Sequence, residues 1–209
     1  MARDARLAVV IRRGPASWAQ LSLWNTETDE FSHGAWFRGR IYEEKCDLSP
    51  DGQLFVYAAF KGARLRSSYT DSWTAVSRPP WLHALVLWPM GTTYGGGGRF
   101  VENRRLALRG AGKVHPDYSL RGVEIVPGMA EYQRSSAEVE GAEWSGRDHR
   151  NRLVFASSGH IFARSGGSDV QLANFAALRP DPQPPPEWAT RQLPELPPIA
   201  GRHRARRSR

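Results

Sequence analysis

Residues 61–83, KGARLRSSYTDSWTAVSRPPWLH, interleave cations with aromatics: Lys61, Arg64, Arg66 and Arg78 stand against a single acid, Asp71, among Tyr69, Trp73 and Trp81. Arg and large aromatics dominate the energy of protein interfaces, and the same residue types stack on and neutralise single-stranded nucleic acid. The span that follows sets Tyr94 and Arg99 on either side of four consecutive glycines, Gly95 to Gly98. The candidate partner-binding set is therefore Arg64, Arg66, Tyr69, Trp73, Arg78, Trp81, Tyr94 and Arg99. For Trp73 and Trp81 a competing reading is that each plugs the sheet core, as a large ring does when it buries its apolar surface. Trp24, Trp36 and Trp88 read most simply as core aromatics on strands.

Other chemistries find less support. A Walker-type loop needs Lys and then Ser or Thr after its last glycine, whereas Arg99 and Phe100 follow here. A dinucleotide fingerprint needs a strand, a turn and a helix, and the downstream RFVENRRLAL has turn and strand character. Nor does GAGKV at 110–114 place a hydroxyl after Lys113. The glycine run reads instead as a flexible loop joining two strands. Among the six histidines no two have the close spacing of a zinc site, and a lone Cys46 rules out a Cys-rich one. His115-Pro116-Asp117 matches the tripeptide of J-domain cochaperones, but its Gly- and Pro-rich flanks cannot supply the two helices that tripeptide joins, so it reads as a turn. Asp47, Asp51, Asp71 and the pair Glu43-Glu44 show no spacing that pairs carboxylates, and no G-x-S-x-G elbow occurs. No catalytic residue, metal ligand or cofactor is expected, although catalytic groups can assemble from distant positions.

The chain that must position these residues has 209 of them, and 40% hydrophobic content is enough for a real core. Its formal charge of +8 is uneven, since the last eight residues, RHRARRSR, hold five arginines and no acid. Only three lysines occur. The arginine excess suits bidentate phosphate recognition, and it also suits plain compositional bias. One cysteine excludes an intrachain disulfide scaffold, and the five-residue apolar run Leu7 to Ile11 is too short for a signal segment or a membrane span. A soluble, cytoplasmic setting with no membrane partner is the expectation.

Short apolar runs of period two, separated by turn signals, dominate up to residue 170. Ser49-Pro50-Asp51-Gly52 has the residues of a type I turn and leads into QLFVYAAF. There Leu54, Val56, Ala58 and Phe60 share one face and Phe55, Tyr57 and Ala59 the other, which predicts a strand buried on both sides. RLVFASSGHIFARS predicts a hairpin turning at Gly159. Four segments, DARLAVVIRRG, DGQLFVYAAFKG, ENRRLALRGAG and HRNRLVFASSG, share a polar lead, a Leu and an apolar strand closed by Gly. Their leucines, Leu7, Leu54, Leu106 and Leu153, lie 47, 52 and 47 residues apart.

LSLWNTETDEF and LVLWPMGTTY share an L-x-L-W strand running into a polar turn, at Trp24 and Trp88. Together with the SPDG turn, these residues resemble WD-repeat and related β-propeller blades. The departures are that Asn25 and Pro89 follow the two tryptophans and that no Gly-His element recurs. The resemblance implies an all-β, small propeller-like body of about four antiparallel blades over residues 1–178, with an irregular β-sandwich as the alternative. Residues 179–201 hold eight prolines in their first twenty positions and read as an extended segment pinned by Trp188. Residues 202–209 read as a disordered basic tail. A propeller-like body implies a platform, hence a non-catalytic protein–protein interaction module or accessory subunit of a larger bacterial assembly. The alternatives are a nucleic-acid-binding accessory protein using the Arg-rich loop and tail, and an enzyme with its site on one propeller face. In that scheme segment 61–83 is an insertion between strands.

Overall fold

Alternating apolar runs closed by turn glycines build four sheets that follow one another along the chain. The computed structural model describes residues 1–62, 70–110, 112–128 and 138–196, of which 43% lie in strands and 4% in helix. Sheet I is the meander β1 (Leu7–Arg13), β2 (Trp18–Asn25) and β3 (Glu30–Arg38). Sheet II contains β4 (Arg40–Ile41), β5 (Asp47–Leu48), β6 (Phe55–Phe60), β7 (Ser72–Ser77) and β8 (Val86–Pro89). Here β4 and β5 share one edge of β6, and the 3-10 turn Glu43–Lys45 lies between them. Sheet III is formed by β9 (Gly98–Glu102), β10 (Arg105–Leu108) and β11 (Glu124–Ile125), antiparallel except for the two-residue β10–β11 pair. Sheet IV is the meander β12 (Trp144–Arg147), β13 (Leu153–Ser157), β14 (His160–Ser165) and β15 (Ser168–Asn174).

Each of the four repeat leucines falls in or beside a strand of a different sheet: Leu7 opens β1, Leu54 precedes β6, Leu106 lies in β10 and Leu153 opens β13. The SPDG turn closes with Gly52 N–H donating to Ser49 O at 2.8 Å. Gly52 has φ 74°, and a Cβ there would lie 2.7 Å from Leu7 Cδ1, so glycine answers both the left-handed backbone and the close approach of sheet I. In the β13–β14 hairpin, Ser158 and Gly159 both take positive φ, the primed geometry that matches strand twist.

Sheet II is buried on both faces, as the pattern of β6 predicts. Phe55, Tyr57, Ala59, Trp73, Ala75 and Leu87 pack against Ala19 and Leu21 of sheet I. Leu54, Val56, Val76, Val86 and Trp88 pack against Phe100 and Leu106 of sheet III. The other face of sheet I meets sheet IV through Ala8, Trp24, Val154 and Ala163. The packing order is thus IV, I, II, III, and among the described residues no single closed sheet forms.

Charge reinforces the junction of first and last sheets. Asp29 accepts two bonds from Arg152, at 2.8 and 2.7 Å, and one from Trp24 Nε1 at 3.3 Å. The Arg152 guanidinium holds the Asp29 carboxyl below its usual range. Arg152 also donates to the buried Asp148 at 2.7 Å. His149 Nε2 faces the carbonyl of Ala2 at 2.8 Å and must donate to it, which leaves Nδ1 to accept from Thr26 Oγ1 at 2.9 Å.

Two expectations need correction. Segment 61–83 is not simply an insertion between strands, because its residues Ser72–Ser77 form β7, a fully buried strand pairing β6 on one side and β8 on the other. Its hydroxyl residues conceal the apolar alternation, and two of them are tolerated inside because they bond backbone: Ser72 Oγ donates to Thr92 O at 3.0 Å and Thr74 Oγ1 accepts from Gly97 N–H at 2.7 Å. The Pro-rich segment is pinned, but not by Trp188, which is 48% exposed. Ala189 and Leu193 are the buried residues, the former on a single helical turn (Glu187–Thr190). Gly122 fits beneath this strap, where a Cβ would lie 2.5 Å from Leu193 Cβ.

Candidate interaction surface

Strand β7 separates the residues that the sequence grouped together. A six-residue strand spans about 20 Å. Its first residue, Ser72, accepts from Met90 N–H at 3.0 Å, and the preceding Thr70 accepts from Gly91 N–H at 3.0 Å. Lys61 N–H donates to Asp71 O at 2.8 Å, extending the β6–β7 hairpin toward the same end. The β6–β7 and β8–β9 connections therefore lie side by side. Arg64, Arg66 and Tyr69 fall outside the described residues, as does the tail 202–209.

The β8–β9 connection carries the glycine run, and it is clamped where the sequence predicts a flexible loop. Gly96 N–H donates to Arg109 O at 2.9 Å and Arg109 N–H to Gly97 O at 3.1 Å, prolonging the β9–β10 pairing. Gly96 and Gly97 have φ of 87° and 80°. A Cβ on Gly97 would sit 2.2 Å from Lys45 O, so these glycines serve close packing and left-handed backbone.

Lys45 holds the loop from below. The 3-10 turn Glu43–Lys45 carries its side chain inward, leaving it 7% exposed. Its ammonium lies 4.7 Å from the Tyr42 ring centre and donates to Thr93 O and, at 3.1 Å, to Gly95 O. The small hollow beside it, lined by Tyr42, Ala58, Trp73, Met90 and Gly96, has room for little more than a water molecule. Sequence reasoning missed Lys45. It sits in a run of charged residues, EEK, that reads as a solvated face, and nothing in the sequence signals the carbonyls awaiting it.

On this clamped loop Tyr94 stands 91% exposed. Arg99 points outward from β9 in register with Ala107. These two occupy the outer surface at this end. Trp73 does not: it is 8% exposed and lies edge-on to Phe37 at 5.8 Å, so the core reading holds for it. Arg78 and Trp81 lie beyond the far end of β7, in a turn closed by Trp81 N–H to Arg78 O at 2.9 Å. Arg78 there donates to the strap carbonyl of Arg191, and Trp81 is half-buried.

Cys46 and Asp47 take structural parts. The Cys46 thiol donates to Tyr42 O at 3.1 Å, and desolvation pushes its pKa far up, away from thiolate reactivity. Burial also raises the Asp47 carboxyl, which accepts from Phe100 N–H at 2.8 Å and so ties sheet II to sheet III. Among the described residues no group of three His, Cys, Asp or Glu could hold a metal ion, and no helix is long and apolar enough to cross a membrane. Comparison with protein-family models, with curated proteins and with solved structures finds no match for the chain.

Proposed function

We propose that this protein is a non-catalytic interaction module, cytoplasmic, whose partner is another protein. Its four consecutive sheets are read as blades of a small propeller-like body, with sheets I and IV joining first to last. The partner face is the end of sheet II where the β6–β7 and β8–β9 connections meet, with Tyr94 as anchor and Arg99 beside it. The observation that carries this reading is a large aromatic, 91% exposed, on a loop otherwise fixed by Lys45 and by glycine hydrogen bonds. An amphipathic ring presented from a rigid base loses little entropy on binding, which is how interface anchors gain their energy.

Affinity capture from the native host tests it. Tyr94→Ala is expected to weaken recovery of the captured protein about 30-fold, the effect of losing a side chain worth about 2 kcal/mol. Val170→Ala, on the outer strand of sheet IV, is expected to leave it unchanged. Should the captured species be nucleic acid, lost steeply with rising salt, the accessory nucleic-acid reading would replace this one.

A further inference from the structure

The far end of β7 has its own chemistry, which the partner surface does not use. We propose that Arg78, Arg104 and Arg191 form a binding site for a phosphate-type oxyanion carried by a small molecule. Arg78 follows the last residue of β7, Arg104 lies in the β9–β10 turn, and Arg191 follows the helical turn of the strap. The strap runs past both of the first two: Arg78 Nη1 donates to Arg191 O, and Arg104 Nη1 donates to Pro194 O at 2.9 Å. The two acceptors are three residues apart, so the strap residues that anchor the two guanidiniums lie within about 11 Å of each other.

Two of these guanidiniums, Arg78 and Arg104, are anchored with no counter-charge among the described residues. Among the described residues neither Arg78 nor Arg104 has a carboxylate partner, each being held by a backbone carbonyl alone. Arg191 pairs only with Glu187, at 3.2 Å, an exposed contact one helical turn away that contributes little. Burial, and after it the neighbouring charges of Arg104 and Arg191, lower the pKa of Arg78.

Packing keeps them in place, because Leu193 is buried in the core shared by sheets II and III and Gly122 lies flush beneath it. An anchored guanidinium uses one of its five N–H groups and keeps the rest for a ligand, with less rotamer entropy left to lose. Two unpaired cations are balanced by one dianion, and the guanidinium fork fits tetrahedral phosphate oxygens. A single carboxylate would leave one charge unmatched.

Calorimetric titration of the full chain in chloride buffer, with inorganic phosphate and separately with phenyl phosphate, tests the site. Saturable binding of one equivalent is expected, weakened at least about tenfold by Arg104→Gln and by Arg104→Lys, which keeps the charge but loses the fork. Arg147→Gln, which removes another carbonyl-bonded guanidinium (3.1 Å to Asn151 O) on sheet IV, is expected to bind as wild type. Tighter binding of the ester assigns the site to an organic phosphate, and equal binding to free phosphate. Titration curves that do not saturate, or that Arg104→Lys leaves unchanged in a variant that still melts cooperatively, overturn the proposal. So does binding confined to a single-stranded oligonucleotide with a steep salt dependence. The site is read without Tyr94, so its failure leaves the partner surface standing.

Discussion

The two ends of β7 solve the same problem differently. At one end a single buried lysine gathers the carbonyls of a glycine-rich loop, and the surface above it is aromatic. At the other end two arginines gather the carbonyls of the strap, and the surface beside them is cationic. A lysine turned inward spends its charge inside the fold. Arginines, with five donors, can hold backbone and still present charge outside. One strand thus carries two surfaces of different chemistry, about 20 Å apart.

The strand core between the ends should be the most sensitive place. Trp88→Ala, opening a cavity between sheets II and III, is expected to cost about 3–5 kcal/mol, read from denaturant midpoints. Both surfaces should then fail together. If either survives in a destabilised but folded Trp88 variant, the ends depend on β7 less than this geometry implies.

Next in size is the strap. Leu193→Ala is expected to cost about 2–3 kcal/mol, whereas Trp188→Ala, in the same segment, should stay within about 0.5 kcal/mol. Thermal melts of the pair decide which residue pins the strap. Equal losses would return Trp188 to the role the sequence suggested.

Smaller again is Lys45→Met, which keeps the bulk and removes the ammonium. A loss of about 1.5 kcal/mol is expected, that of hydrogen bonds from a charged group. Amide exchange should speed up at Gly96 and Gly97 while strap amides hold. Faster exchange at both ends would break the contrast between them.

The parts of the fold legible in the sequence are those set by local periodicity and turn chemistry. The two faces of β6, the SPDG turn and the β13–β14 hairpin are each visible within a dozen residues. β7 was hidden because Ser72, Thr74 and Ser77 read as polar surface, and the distant backbone partners of the first two, Thr92 and Gly97, are not visible in the sequence. The junction of sheets I and IV depends on Asp29 meeting Arg152, 123 residues later, and no spacing rule connects them. Within the candidate site, Tyr94 and Arg99 were visible by type. The separation of Arg78 and Trp81 from them was not, since it depends on the intervening residues forming a strand. The strap misled for a related reason, because ring size suggests burial but one helical turn offers no periodicity to say which side faces in.

Photo-crosslinking tests the central claim most directly. A photoreactive side chain placed at position 94, and in a second variant at position 188, compares the two large aromatics exposed among the described residues on equal terms. A discrete adduct with a partner protein from position 94, and none from position 188, is the predicted result. An adduct from position 188 with none from position 94 would contradict it and move the partner surface to the strap.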